Sequence, residues 1–235
     1  MHMDRRQFVK NLGLGTASLS MGSLVTASSC APSGDSSLKQ NVKEGEDGQF
    51  LFIGDDIAIA QTEYGKVQGY LLNHVYTFLG VPYGADTSGK NRFMPPQKPE
   101  PWTDVRPAVF YGNTAPQRME NRWPNNYGTF ADHWNYWDVS EDCLYLNVWT
   151  PGIADGKKRP VLVWLHGGGF TNGSGIEQDG YHGENISREG NIVFCSINHR
   201  LGPIGFSDLS GVGGEAYKDS GNVGMLDIIA ALRCI

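Results

Sequence analysis

The chain has 235 residues, with 19 Lys and Arg against 25 Asp and Glu (19 − 25 = −6), 40% hydrophobic content and 31 glycines, about 13% against a usual ~7%. That is one domain's worth of chain, long enough to bury a large core without disulfides or metals as staples. The mildly acidic balance with scattered Lys and Arg excludes nucleic acid as the main partner, and four widely spaced cysteines (Cys30, Cys143, Cys195, Cys234) exclude a zinc ribbon or a Cys-x-x-Cys redox motif.

The first thirty residues read as an address. Asp4-Arg5-Arg6-Gln7-Phe8-Val9-Lys10 precedes a weakly apolar, Gly- and Ser-rich stretch from Asn11 to Ala27. The pattern resembles a bacterial twin-arginine export signal, which implies passage through the Tat export machinery to the periplasm or the membrane surface. No run approaches ~18 consecutive apolar residues, so no spanning helix is expected. Cys30 stands where a lipoprotein carries its acylated cysteine, while Ala27 and Ser29 serve equally for ordinary cleavage. The first reading gives a lipid anchor and the second a freely released protein. Residues 31–54 are polar and read as a linker, leaving 55–235 as the folded domain.

Ile57 to Thr62 and Val67 to Leu71 flank the turn Glu63-Tyr64-Gly65-Lys66 and predict a β-hairpin, with Val75 to Leu79 as a third strand. A Pro-rich stretch with Pro95, Pro96, Pro99 and Pro101 reads as an extended surface loop. Residues 111–140 form a long loop rich in aromatics, among them Trp123, Trp134 and Trp137, and loops of that length tend to be functional. Leu144 to Trp149, Val161 to Leu165 and Ile192 to Ile197 are strand candidates. The last two are continuous apolar runs, as parallel strands buried on both faces show. Met225, Ile228, Ile229 and Leu232 recur at helical spacing after Asn222, a fitting N-cap, and predict an amphipathic helix. Strands separated by connections that include helices give an α/β class with a mostly parallel sheet and an antiparallel N-terminal hairpin.

The chemical signal is His166-Gly167-Gly168-Gly169-Phe170, directly after the strand candidate VLVWL. Three glycines thus lie at the carboxyl end of a strand, where α/β sheets place their ligand crevice. Glycine lets a backbone fold tightly with its N–H groups unobstructed, and such donors stabilise the oxyanion of an acyl-transfer intermediate by on the order of 3 kcal/mol each.

Glu141-Asp142-Cys143-Leu144-Tyr145-Leu146-Asn147-Val148-Trp149 resembles the second signature of the type-B carboxylesterases, the group of carboxylesterases and cholinesterases. The resemblance runs in family order through Phe78-Leu79-Gly80-Val81-Pro82-Tyr83, Arg92-Phe93, HGGGF, Asn198-His199-Arg200-Leu201-Gly202 and Gly221-Asn222-Val223-Gly224-Met225-Leu226-Asp227. It implies an α/β-hydrolase fold and hydrolysis of small carboxylic esters by a Ser-His-acid triad, with no metal or organic cofactor. It gives the oxyanion role to the N–H groups of Gly168 and Gly169, pairs Arg92 with Glu141 as a structural ion pair, and makes Phe170, Trp123, Trp134 and Trp137 substrate-lining candidates.

Two departures stand out. Many relatives bond the signature cysteine to one shortly upstream, but no cysteine lies between Cys30 and Cys143, so Cys143 is expected as a free buried thiol and Cys195 as a core residue. Moreover, no serine has Gly at both −2 and +2, the nucleophile-elbow pattern. The family's serine, acid and catalytic histidine all follow the Gly-Asn-Val-Gly helix, so the chain is expected to be the N-terminal part of such an enzyme, inactive by itself. Poor solubility is expected too, with strand 192–197 left as an open apolar edge. The alternative is a non-catalytic cholinesterase-like adhesion or binding module. A hormone-sensitive-type lipase also uses HGGGF, but EDCLYLNVW is not part of its pattern.

Overall fold

The computed structural model describes residues 50–118 and 138–235. The segment read as an export signal, Cys30, Trp123, Trp134 and Trp137 lie outside the described residues. Among the described residues there are nine strands: β1 (Leu51–Phe52), β2 (Ile59–Gln61), β3 (Lys66–Gln68), β4 (Tyr70–Leu72), β5 (Val75–Pro82), β6 (Arg106–Pro107), β7 (Tyr145–Thr150), β8 (Val161–Leu165) and β9 (Val193–Ile197). The α-helices among the described residues are α1 (Glu184–Gly190), α2 (Gly202–Phe206), α3 (Ser210–Gly213) and α4 (Val223–Cys234).

The predicted hairpin forms, with Ala60 opposite Val67, but its second run is divided between two sheets. β3 stays with β2 and β6 in a three-stranded sheet, whereas β4 joins a six-stranded sheet of order β1-β4-β5-β7-β9-β8. Gly69 allows the switch, because a Cβ there would lie 2.0 Å from the Thr77 carbonyl oxygen. β1 pairs with β4, so the sheet already begins within the segment read as a linker.

The large sheet is mixed rather than mostly parallel over these residues. β1/β4, β4/β5, β5/β7 and β7/β9 are antiparallel, and only β8/β9 is parallel. The connections explain this. Asn73 and His74 join β4 to β5 with φ of 49° and 66°, the two-residue turn whose twist suits a hairpin. Between β8 and β9 the chain makes a crossover containing α1, as parallel neighbours require. β5 carries a bulge between Phe78 and Val81. The Gly80 N–H there reaches the buried Asn147 Oδ1 at 2.9 Å, and Asn147 Nδ2 donates to Ser196 Oγ at 3.1 Å, linking three neighbouring strands.

Alternation along the strands sorts the apolar side chains onto two faces. Phe78, Leu146 and Ile197 pack with Leu144, Leu201, and Ile228 and Ala231 of α4. Val75, Leu79, Trp149 and Phe194 form the core of the other face, where α1 lies and Ser187 Oγ donates to the Trp149 carbonyl at 2.9 Å. Cys143 and Cys195 are free and fully buried. Burial pushes the Cys195 thiol up to about 12 and Cys143 well above its ordinary range, which leaves both unreactive.

Three expectations are corrected. VLVWL is not buried on both faces: β8 is the sheet edge, and Val161, Leu162, Trp164 and Leu165 are 37–49% exposed. The strand expected to be left open, β9, is instead enclosed between β7 and β8. The buried stripe of α4 is Val223, Gly224, Asp227, Ile228 and Ala231, while Ile229 and Leu232 face out. Apolar periodicity misplaced that stripe because its centre is a carboxylate.

Candidate functional site

The loop leaving β8 is built on glycines. Gly168, Gly169 and Phe170 follow one another at φ of 114°, 62° and 61°. At Gly168 a Cβ would lie 1.9 Å from the Asn172 carbonyl oxygen, so no other residue fits; at Gly169 the space is open. The Gly168 carbonyl accepts from the N–H groups of Thr171 at 3.1 Å and Asn172 at 3.3 Å and from Thr171 Oγ1 at 2.9 Å, closing the turn upon itself. Among the described residues the N–H groups of Gly168 and Gly169 donate no hydrogen bond, and both glycines are exposed. Two adjacent backbone donors at the carboxyl end of a strand, with no side chain over them, can hold an oxyanion or a carboxylate.

Three sets of contacts fix the loop from behind. Gly202 N–H donates to the Phe170 carbonyl at 2.7 Å, joining the loop to the start of α2. Phe170, 52% exposed, packs its ring 5.1 Å from Phe206. The imidazoles of His166 and His199 stack at 4.9 Å and 14°. Each has Nδ1 within hydrogen-bond distance of the next residue's carbonyl, 2.7 Å to Gly167 and 2.9 Å to Arg200, so Nδ1–H is the donor in both. Burial holds the His199 imidazole below its ordinary range and favours the neutral form.

Beneath His199 lies a buried ion pair. Arg200 donates from Nε to Asp227 Oδ2 at 2.8 Å, from Nη2 to Oδ1 at 2.6 Å and from its backbone N–H to Oδ2 at 3.1 Å, and its Nη1 reaches the Met94 carbonyl at 2.8 Å. The two side chains are 1% and 0% exposed. Burial raises the Asp227 carboxyl above the usual carboxylate range, against the opposing pull of Arg200. Arg200 thereby ties the turn after β9 to α4 and to the Pro-rich loop.

Segment 113–117 is the other support. Asn198 Oδ1 accepts from Gly175 N–H at 2.8 Å while its Nδ2 donates to the Asn113 carbonyl at 3.1 Å. Gln117 Oε1 accepts from Gly173 N–H at 2.8 Å, and its Nε2 donates to the Gly173 carbonyl at 2.9 Å. Local pattern reading passes over Gln117, Asn198 and Asp227, because their partners are 56, 23 and 27 residues away.

Arg92 Nε lies 2.8 and 2.9 Å from the two Glu141 oxygens, in a half-exposed pair that joins the loop after β5 to the approach to β7. Gly168, Gly169 and Phe170 are brought together at the end of β8, and the Arg92–Glu141 pair belongs to the frame. A cavity of about 390 Å³ lined by Val67, Phe78, Leu146, Val148 and Cys195 has no residue of the 166–170 loop in its wall, so it is separate from this site. Among the described residues, no cluster of three or more His, Cys, Asp or Glu is arranged to hold a metal ion.

Residues 56–235 match the model of the carboxylesterase family. The chain is 40% identical over 180 residues to para-nitrobenzyl esterase of Bacillus subtilis (strain 168), covering 75% of this chain and 34% of that protein. It is 38% identical over 200 residues to acetylcholinesterase of Electrophorus electricus, covering 79% and 30%. Among solved structures it resembles an esterase from Clostridium hathewayi that can hydrolyze aliphatic aromatic polyesters, at a TM-score of 0.71 and 38% identity over 79% of this chain and 35% of that one. It also resembles the Geobacillus stearothermophilus carboxylesterase EST55, at a TM-score of 0.65 and 39% identity over 75% and 33%. The chain spans about a third of the length of the curated relatives it matches, and these structural neighbours have the α/β-hydrolase fold.

Proposed function

The chain belongs to the carboxylesterase family, and from that membership we propose that the whole protein hydrolyses carboxylic esters by serine acyl transfer, with the Gly168 and Gly169 N–H groups as oxyanion donors. The supporting observation is the pair of exposed, unengaged backbone donors at the end of β8. In this reading a serine oxygen bonds to the ester carbonyl carbon, and the carbonyl electron pair moves to the oxygen held by the two N–H groups. The serine proton passes to the departing oxygen as the carbonyl re-forms and the alcohol leaves; water then adds to the acyl-serine, its oxygen leaving in the acid and its proton restoring the serine. Donors already fixed in place need no reorganisation when that charge develops.

The 235 residues contain no Gly-x-Ser-x-Gly, so the chain by itself is assigned no ester turnover. Hydrolysis of p-nitrophenyl acetate is the test. The whole protein is expected to turn it over and to be blocked by a serine-directed organophosphate, and the 235-residue chain to match the buffer blank. Organophosphate-sensitive turnover by the chain alone overturns its assigned inactivity, and no turnover by the whole protein overturns the esterase reading.

Export belongs to the same reading. Arg5 and Arg6 direct the chain to the twin-arginine pathway, with Cys30 as the acyl acceptor if an anchor is present. Cell fractionation of an Arg5→Lys/Arg6→Lys variant is expected to leave the protein in the cytoplasm.

A further inference from the structure

Gln117 makes a two-point contact with a single backbone residue 56 positions away. Its Oε1 takes the Gly173 N–H at 2.8 Å, and its Nε2 gives to the Gly173 carbonyl at 2.9 Å and to the Ala115 carbonyl at 3.1 Å. A primary amide suits this arrangement because it offers an acceptor and a donor side by side. Gly173 is itself packed on the start of the oxyanion loop. At its φ of 108° a Cβ would meet the Gly167 carbonyl oxygen at 2.3 Å and His166 Nδ1 at 2.5 Å. From there the turn closes through Asn172 and Thr171 onto the Gly168 carbonyl.

The far end of Gln117 is equally well held. Asn113, four residues earlier, gives its carbonyl to Asn198 Nδ2 at 3.1 Å and its own Nδ2 to the Asp142 carbonyl at 3.0 Å. Asn198 follows β9 and also holds Gly175. The loop bearing Gly168 and Gly169 is therefore fixed at its return limb by side chains from two different stretches of chain, and Gln117 is the one that grips next to the glycines.

The geometry points to Gln117 as a positioning residue for the two oxyanion donors: it pins Gly173, and through it the His166 imidazole and the Gly167 carbonyl packed against it, so that the N–H groups of Gly168 and Gly169 are held in place before any ester arrives. That role rests on the esterase reading; the clamp itself does not. Catalysis by fixed donors is sensitive to displacements of a fraction of an ångström, and neither glycine has a side chain with which to hold itself.

Gln117→Glu and Gln117→Ala separate positioning from bulk stability. At pH 7.5 a glutamate carboxylate still accepts from Gly173 N–H but has no donor for the Gly173 carbonyl. Protonated near pH 4, below its ordinary value of about 4.3, it regains one. Hydrogen exchange read by mass spectrometry, corrected for intrinsic rates and compared with the unsubstituted chain at each pH, follows the amides of 171–175. In the Ala variant, protection there is expected to fall at least tenfold at both pH values. In the Glu variant it falls at pH 7.5 and returns at pH 4, while β7 and β9 peptides keep theirs. Unchanged protection at 171–175, or an equal loss across β7 and β9, overturns the clamp. In the whole protein, kcat for p-nitrophenyl acetate is expected to fall about tenfold at pH 7.5 in the Glu variant at unchanged KM. Loss of protection with an unaltered kcat overturns the positioning role and leaves the esterase reading intact. An unsubstituted whole protein without turnover overturns both, whatever the exchange data show.

Discussion

Asp227→Ala leaves a guanidinium buried without its counter-charge. Arg200 gives three hydrogen bonds to that carboxylate, two from the side chain and one from the backbone. Once they are gone its side chain keeps the Met94 carbonyl. Breaking a fully buried pair by removing one partner costs about 3–5 kcal/mol, because the remaining charge stays desolvated. Against a typical domain stability of about 5–15 kcal/mol this is a large fraction. At roughly 2–4 °C per kcal/mol for a domain of this size it lowers the melting midpoint by about 6–20 °C. Urea unfolding of the chain at pH 7.5, followed by tryptophan fluorescence, measures the loss. Asp227→Asn keeps the shape and one acceptor and is expected to fall between the Ala variant and the parent. The double variant Arg200→Met/Asp227→Leu removes both charges and is expected to recover most of the stability, since a buried pair is often replaceable by apolar side chains of similar volume. A loss below about 1 kcal/mol in the Ala variant, or a double variant as unstable as the single, refutes the reasoning and assigns the site to packing alone.

Gly168 and Gly169 are expected to differ. Gly169→Ala meets open space at φ 62° and costs the ordinary left-handed penalty of about 1–2 kcal/mol, whereas Gly168→Ala also drives a Cβ into the Asn172 carbonyl and lowers the urea midpoint further; equal losses refute this. His199, held below its ordinary value by burial, makes stability fully present above about pH 6.5 and progressively lost as pH falls toward the lowered folded value. The unfolded chain binds that proton more readily, so stability rises with pH in this window. A His199→Gln variant is expected to flatten the slope of urea stability between pH 5 and 7, leaving His182, which burial also lowers, to account for what remains. The apolar edge strand β8 is expected to make the chain self-associate, and Leu162→Lys, on a residue 42% exposed, to raise the monomer fraction in sedimentation velocity; a monodisperse parent chain contradicts this.

Local chemistry determined a good deal of this protein. Alternating and continuous apolar runs located β5, β7, β8 and β9 to within a residue or two at most ends, and the spacing of Met225 to Leu232 located α4. The run of glycines after VLVWL marked the loop whose φ values of 114° and 62° most residues avoid. These signals are legible because strand period, helix period and backbone tolerance are properties of neighbouring residues.

What the sequence left open depends on where distant segments meet. VLVWL reads the same whether buried or at an edge, and only the strand order β7-β9-β8 made it an edge. Gly69 ended one strand and sent the next into another sheet because the Thr77 carbonyl comes within 2.0 Å of where its side chain would be. Asp227 looks like a solvent-facing residue of an amphipathic helix until Arg200, 27 positions earlier, is folded against it. Gln117 is one polar residue in a long loop until Gly173 arrives beside it. Hydrogen bonds and ion pairs between remote residues carry no periodic signature, so tertiary structure alone decided which polar side chains hold the glycine loop after β8 in place.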